Sequence, residues 1–131
     1  LIAHEGQQWN LLRAGRSLHR EATRELLELV GLAAEASETG GELSYGKQKQ
    51  LELAIALASK PRLLLLDEPT AGMSPQETGE TIALVRDIVK ARGLTLLFTE
   101  HDMSVVFGIA ERISVLHHGE IIASGQPDAV R

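Results

Sequence analysis

The sequence predicts an α/β fold, with a helical part followed by parallel strands and a closing antiparallel hairpin. Three observations carry this. Apolar residues recur at helical spacing up to about Lys60. Two short apolar runs, "RLLLLDEP" and "LTLLFTEH", flank a segment with helix-start and helix-stop signals. A last stretch, "RISVLHHGEIIASG", reads as two strands around a turn. The expected organisation is a helical part over 1–60 and a sheet-bearing part over 61–131.

In the helical part, Leu18, Ala22, Leu26, Leu29 and Val30 recur at three- and four-residue steps, with Arg and Glu between them. The segment "QLELAIALAS", Gln50 to Ser59, is apolar nearly all round, which predicts a buried helix. Pro61 ends it. "RLLLLDEP" is too short for a helix, and a continuous apolar run of that length suits a parallel strand buried on both faces. In "SPQE", Ser74 is an N-cap, Pro75 fits the first helical position and Glu77 completes a capping box. The helix that follows carries Ile82, Val85 and Val89 on one face and stops at Gly93. "LTLLFTEH" is the second strand. Strand, helix, strand over about thirty residues is a βαβ unit with parallel strands. The hairpin turns at His118 and Gly119.

Bulk composition narrows the function. The chain has 131 residues, 44% of them hydrophobic and 3% aromatic, so its core is built from Leu, Ile, Val and Ala. A net charge of −5 disfavours nucleic acid as a partner, since phosphate backbones call for Lys and Arg. With no cysteine, disulfides and thiolate metal sites are excluded, and a cytoplasmic setting is expected. No apolar run approaches the roughly 18 residues of a membrane span. Leu1 is not an initiator methionine, so a fragment or a processed chain is expected.

The chemistry falls at one sheet edge. Parallel strands end on the same side, and open α/β sheets bind ligands there. Asp67 and Glu68 close the first strand, while Glu100, His101 and Asp102 close the second. One acid there can hold Mg²⁺ through its waters, and a second can position or deprotonate an attacking water. A histidine can contact a transferring phosphoryl group. Taken alone, D-E-P is more often a turn opening and a lone histidine more often an ordinary loop residue; the matched strand ends shift the balance. His4, His19, His117 and His118 show no metal-ligand spacing and are read as ordinary.

"GELSYGKQK", Gly41 to Lys49, matches the phosphate-loop pattern G-x-x-x-x-G-K until Gln48 takes the place of Ser or Thr. No strand precedes it, because "EASETG" is polar, so the phosphate-loop reading fails. Read from Leu43, the stretch resembles the signature motif of ABC-type ATPases, L-S-G-G-Q, which opens a helix leading to the Walker B strand. Leu43, Ser44 and Gly46 match; Tyr45 replaces the first glycine and Lys47 the glutamine. A hydroxyl and free N–H groups at a helix N-terminus form an anion site.

The resemblance runs from Leu43 to Arg131, and the region before it fits the family's helical subdomain by position and pattern. "LLLLDEPTAGMSP" resembles Walker B with the D-loop, with Ser74 where many members have aspartate; "LLFTEHDM" resembles the H-loop; "ISVLHHGEIIASGQPDAV" resembles the closing hairpin and final short helix. The fold implied is a partial P-loop NTPase (ABC ATPase) fold. The roles implied are Asp67 for Mg²⁺ through water, Glu68 as catalytic base and His101 as the switch histidine. Ser44 and Gly46 would face the ATP γ-phosphate held by a second ATPase subunit. Membrane permease subunits are the implied direct partners, with a solute-binding protein acting indirectly, and the implied location is the inner face of the cell membrane. Y-G in the signature and A-G-M in the D-loop resemble branched-chain amino acid importers, and amide and urea importers share much of this. The alternatives are a soluble ABC-type ATPase and a non-catalytic module with the same fold. The 131 residues contain no G-x-x-x-x-G-K-[ST] and no glutamine-loop match. These residues alone are therefore expected to hold ATP poorly and not to hydrolyse it.

Overall fold

The computed structural model describes residues 20–131. His4, Leu18 and His19, used in the sequence reading, lie outside the described residues. The chain divides into two compact units between Pro61 and Arg62.

In the first unit, helix α1 (20–29) ends on Gly31, whose φ of 77° is the left-handed conformation that glycine adopts without strain. The Leu32 N–H reaches back to the Leu27 carbonyl at 2.7 Å and the Gly31 N–H to Glu28 at 3.1 Å, which closes a Schellman cap. Val30 and Leu32 just beyond the helix are fully buried. Ala22, expected on the apolar face, is exposed, while Leu26, Leu27 and Leu29 are half-buried. A short 3₁₀ turn (Gly40–Glu42) then leads into helix α2 (Tyr45–Ala58). This helix is not buried all round: Leu53, Ala54 and Leu57 are covered, whereas Ile55 stands exposed. An apolar sequence states what a helix could bury, and the partners available to it decide which face is covered.

The second unit holds two small sheets among the described residues. Strands β1 (Leu63–Asp67) and β2 (Thr95–Thr99) pair in parallel, with Leu63 opposite Thr95 and Asp67 opposite Thr99. Helix α3 (Pro75–Arg92) connects them and has the expected capping box between Ser74 and Glu77. Gly93, at φ 60°, stops α3 with the same two-bond cap that ends α1. Its covered stripe is Thr81, Val85 and Ile88 rather than the Ile82, Val85 and Val89 expected. Helix α4 (Met103–Ile109) packs beside α3 and buries Val105 and Val106.

The expectation that both strands are buried on both faces is not met. Side chains alternate across a sheet, so Leu63, Leu65 and Leu97 share a face, and Leu65 and Leu97 there are 64% and 62% exposed. Leu64, on the other face, is buried.

Strands β3 (Ile113–His117) and β4 (Glu120–Gly125) form the antiparallel hairpin. Its two-residue turn has φ of 48° at His118 and 83° at Gly119, the double left-handed geometry that matches strand twist. A bulge between Val115 and Leu116 shifts the register. The short helix α5 (Pro127–Val130) packs on β4.

Candidate active site at the strand ends

The register of β1 and β2 sets the site. Asp67 is the last residue of β1 and faces Thr99, whose hydroxyl donates to Asp67 Oδ1. Glu68 leaves the strand in a left-handed conformation, φ 44°, uncommon for a residue with a side chain. Its N–H is held by Thr99, with the carbonyl at 3.1 Å and the hydroxyl at 3.3 Å. Its carbonyl accepts the Ala71 N–H at 3.1 Å. The chain thus turns sharply through Pro69 to Gly72, where φ is 76°.

On the neighbouring strand, three consecutive polar side chains go three ways. His101 stays open to solvent, and its Nδ1 lies 3.8 Å from Glu68 Oε1, with the two side chains 76% and 54% exposed. Glu100 turns inward to 0% exposure, and its Oε1 accepts both the N–H of Thr70, at 3.1 Å, and the Thr70 hydroxyl. Asp102 caps α4, accepting from Ser104 N at 2.8 Å and Ser104 Oγ at 2.6 Å. Those bonds hold the Asp102 carboxyl below its ordinary value. The strand ends therefore bring Glu68 to His101, with Asp67 next in the chain and bonded to Thr99, while Glu100 and Asp102 serve the scaffold. Sequence reasoning grouped all three residues at the ligand edge because strand position does not reveal side-chain direction beyond the last rung.

Ser44 and Gly46 sit at the start of α2. Ser44 is the N-cap residue by backbone position, with its carbonyl accepting Gln48 N at 2.9 Å, yet its exposed side chain makes no capping bond. Lys47 is drawn to Glu35, and their hydrogen bond lowers the Glu35 pKa and raises that of Lys47. Gln48 donates its amide to the Leu43 carbonyl at 3.0 Å, a role within its own turn.

Among the described residues, no group of three or more His, Cys, Asp or Glu side chains is arranged to hold a metal ion. A magnesium ion carried with a nucleotide needs less: one or two carboxylates, with water and phosphate oxygens completing the octahedron. Asp67 fits that requirement, with Oδ1 fixed by Thr99 and Oδ2 left for a bound water.

Fold and site together define a class: α/β proteins whose parallel strands end in an acid pair beside a histidine. Comparison with known proteins makes this specific. The family model for ABC transporters matches residues 4–71, just over half of the chain. The chain belongs to the ABC transporter family. The match reaches upstream of Leu43, where the sequence offered only position and helical pattern. Over 115 residues, the chain is 40% identical to the high-affinity branched-chain amino acid transport ATP-binding protein LivG of Salmonella typhimurium, covering 88% of this chain and 44% of that protein. It is 44% identical over 106 residues to the methionine import ATP-binding protein MetN of Rhizobium etli, covering 81% of this chain and 29% of that protein. A solved ATP-binding cassette of an ABC transporter superposes with a TM-score of 0.80 at 28% identity, covering 99% of this chain and 47% of that one. The chain thus spans less than half the length of these relatives.

Proposed function

We propose that this chain contributes the hydrolytic strand ends and the signature helix to the ATP-hydrolysing subunit of an importer of branched-chain or related amino acids. The observation that carries the reading is the approach of Glu68 to His101, 3.8 Å apart, beside the Asp67–Thr99 rung. Glu68 accepts the proton of a water attacking the γ-phosphate. Its left-handed backbone lifts the carboxylate out of the strand, and the two bonds from its N–H to Thr99 keep it there. His101 contacts the transferring phosphoryl group from the neighbouring strand. Asp67 would hold Mg²⁺ through a water, and the ion would supply neutralisation of charge developing on the phosphates.

Ser44, Gly46 and the first N–H groups of α2 face the γ-phosphate bound by a second ATPase subunit. The free Ser44 hydroxyl and the helix N-terminus suit an anion there. Hydrolysis then opens the dimer and drives membrane permease subunits, with a solute-binding protein selecting the cargo. No helix among the described residues is long and apolar enough to cross a membrane. A peripheral position on the inner face of the cell membrane follows from attachment to the permease.

The test is cargo-stimulated turnover in vesicles containing the assembled transporter. Leucine with its binding protein should raise ATP hydrolysis more than methionine does. Stimulation by methionine alone would overturn the cargo assignment. Hydrolysis absent under every cargo, in a properly assembled complex, would overturn the ATPase assignment.

A further inference from the structure

The Glu68–His101 approach is made by two exposed side chains, and exposed charge pairs hold each other weakly. Bonds from the Glu68 N–H to Thr99 anchor the start of the turn to β2, and the turn beyond Glu68 needs a tie of its own. Beside them, Glu100 is a fully enclosed carboxylate. Its Oε1 takes the N–H and hydroxyl of Thr70, two residues beyond Glu68. Its Oε2 takes the N–H of His101 at 3.2 Å and lies 4.0 Å from His101 Nδ1. Three donors, from the turn after Glu68 and from the residue after Glu100, thus converge on one buried anion. Hydrogen bonds to an ionised acceptor are the stronger kind, and burial makes their loss costly. Thr70 is itself buried, so its donors have no water to replace the carboxylate.

We propose that Glu100 is a positioning residue for hydrolysis: it clamps the Glu68 turn to the His101 strand end through Thr70 and sets the spacing of the two. This rests on the hydrolytic reading given above. Glu100 itself touches no substrate. Its charge matters as well as its shape, because all three partners donate. In Glu100→Gln one face of the amide becomes an NH₂ group, and whichever way the amide turns, a backbone N–H confronts another donor.

The experiment uses the complete ATPase subunit in its transporter, with Glu68→Gln, Glu100→Gln, Thr70→Ser and Thr70→Val compared. Glu100→Gln should lower kcat about tenfold or more while KM for ATP moves less than about twofold, because misplacement of catalytic groups harms the transition state more than ground-state binding. Thr70→Ser keeps both donors and should stay within about twofold of wild type, whereas Thr70→Val should lose several-fold in kcat. If Glu100→Gln fails to fold, the Ser and Val pair at position 70 carries the test alone. Unchanged kcat in Glu100→Gln, or equal rates in Thr70→Ser and Thr70→Val, would overturn the proposal. Should those results appear while Glu68→Gln is inactive, the hydrolytic reading stands and the clamp alone falls. Should Glu68→Gln hydrolyse like wild type, both fall.

Discussion

Replacing Glu68 by Gln separates chemistry from scaffold more cleanly than any other change in this chain. The Glu68 carboxylate is half exposed, and its close polar neighbour among the described residues is the exposed His101. What holds the residue in place is backbone: its N–H on Thr99 and its carbonyl on Ala71. Gln retains that backbone, the shape and the same tolerance of a φ of 44°. The stability change should therefore lie within about 0.5 kcal/mol, as for a surface substitution away from special features. The rate should behave differently. Loss of a general base costs about 10²- to 10⁴-fold. At about 1.36 kcal/mol per decade, that is roughly 3–5.5 kcal/mol of barrier. Phosphate release at saturating Mg-ATP, in a cassette that also supplies the phosphate-binding loop, gives the rate. Nucleotide retention on a filter gives binding, which should persist and trap the dimer. Urea unfolding gives stability. Hydrolysis within a few-fold of wild type would refute the base assignment. A stability loss well above 1 kcal/mol would refute the claim that the side chain is structurally idle.

Other outcomes follow from the same geometry. The 131 residues alone should hydrolyse no ATP above background in a phosphate-release assay, since they include no G-x-x-x-x-G-K-[ST] loop to grip the β- and γ-phosphates. Ser44→Arg should cut turnover by about 10²-fold by blocking the anion site, and in a mixed dimer the lesion should map to nucleotide held by the other protomer. The isolated chain should self-associate through the face bearing Leu65 and Leu97. Leu65→Lys should weaken that association about tenfold or more in sedimentation, since a buried leucine contributes about 1.5–3 kcal/mol. Ser74→Ala should lower the stability of the chain by about 1 kcal/mol in urea titration, by removing the hydroxyl that accepts from Glu77 N.

Local rules carried much of this architecture. The capping box at Ser74, the stop at Gly93 and the His118–Gly119 turn each follow from a few adjacent residues whose backbone needs are nearly independent of the rest. The end of β1 at Asp67 was legible, because an apolar run that meets carboxylates must change environment; β2 stops at Thr99, two residues before His101. What escaped depends on tertiary partners. Helix α4 is seven residues long, and its cap at Asp102 looked like part of the acidic edge. The α3 stripe is rotated from the expected one because the partner surface selects Thr81 and Ile88 over Ile82 and Val89. The bonds that Thr70 donates to Glu100 span thirty positions, and no periodicity encodes them. The Lys47–Glu35 pair, likewise, links α2 to a turn twelve residues earlier.

The left-handed backbone at Glu68 places that position under two separate selections. In a library holding every amino acid there, sorting for folded protein alone would enrich Gly, Asn and Asp, which enter this region of φ most easily, and deplete Val and Ile, whose branched carbons do not. Sorting for turnover would instead keep the acid. The two surviving sets would share little beyond Asp and Glu itself, and Asp carries its carboxylate one methylene short of where Glu68 meets His101. Glu at a site so much easier for Gly therefore gives up backbone ease for the reach of one side chain.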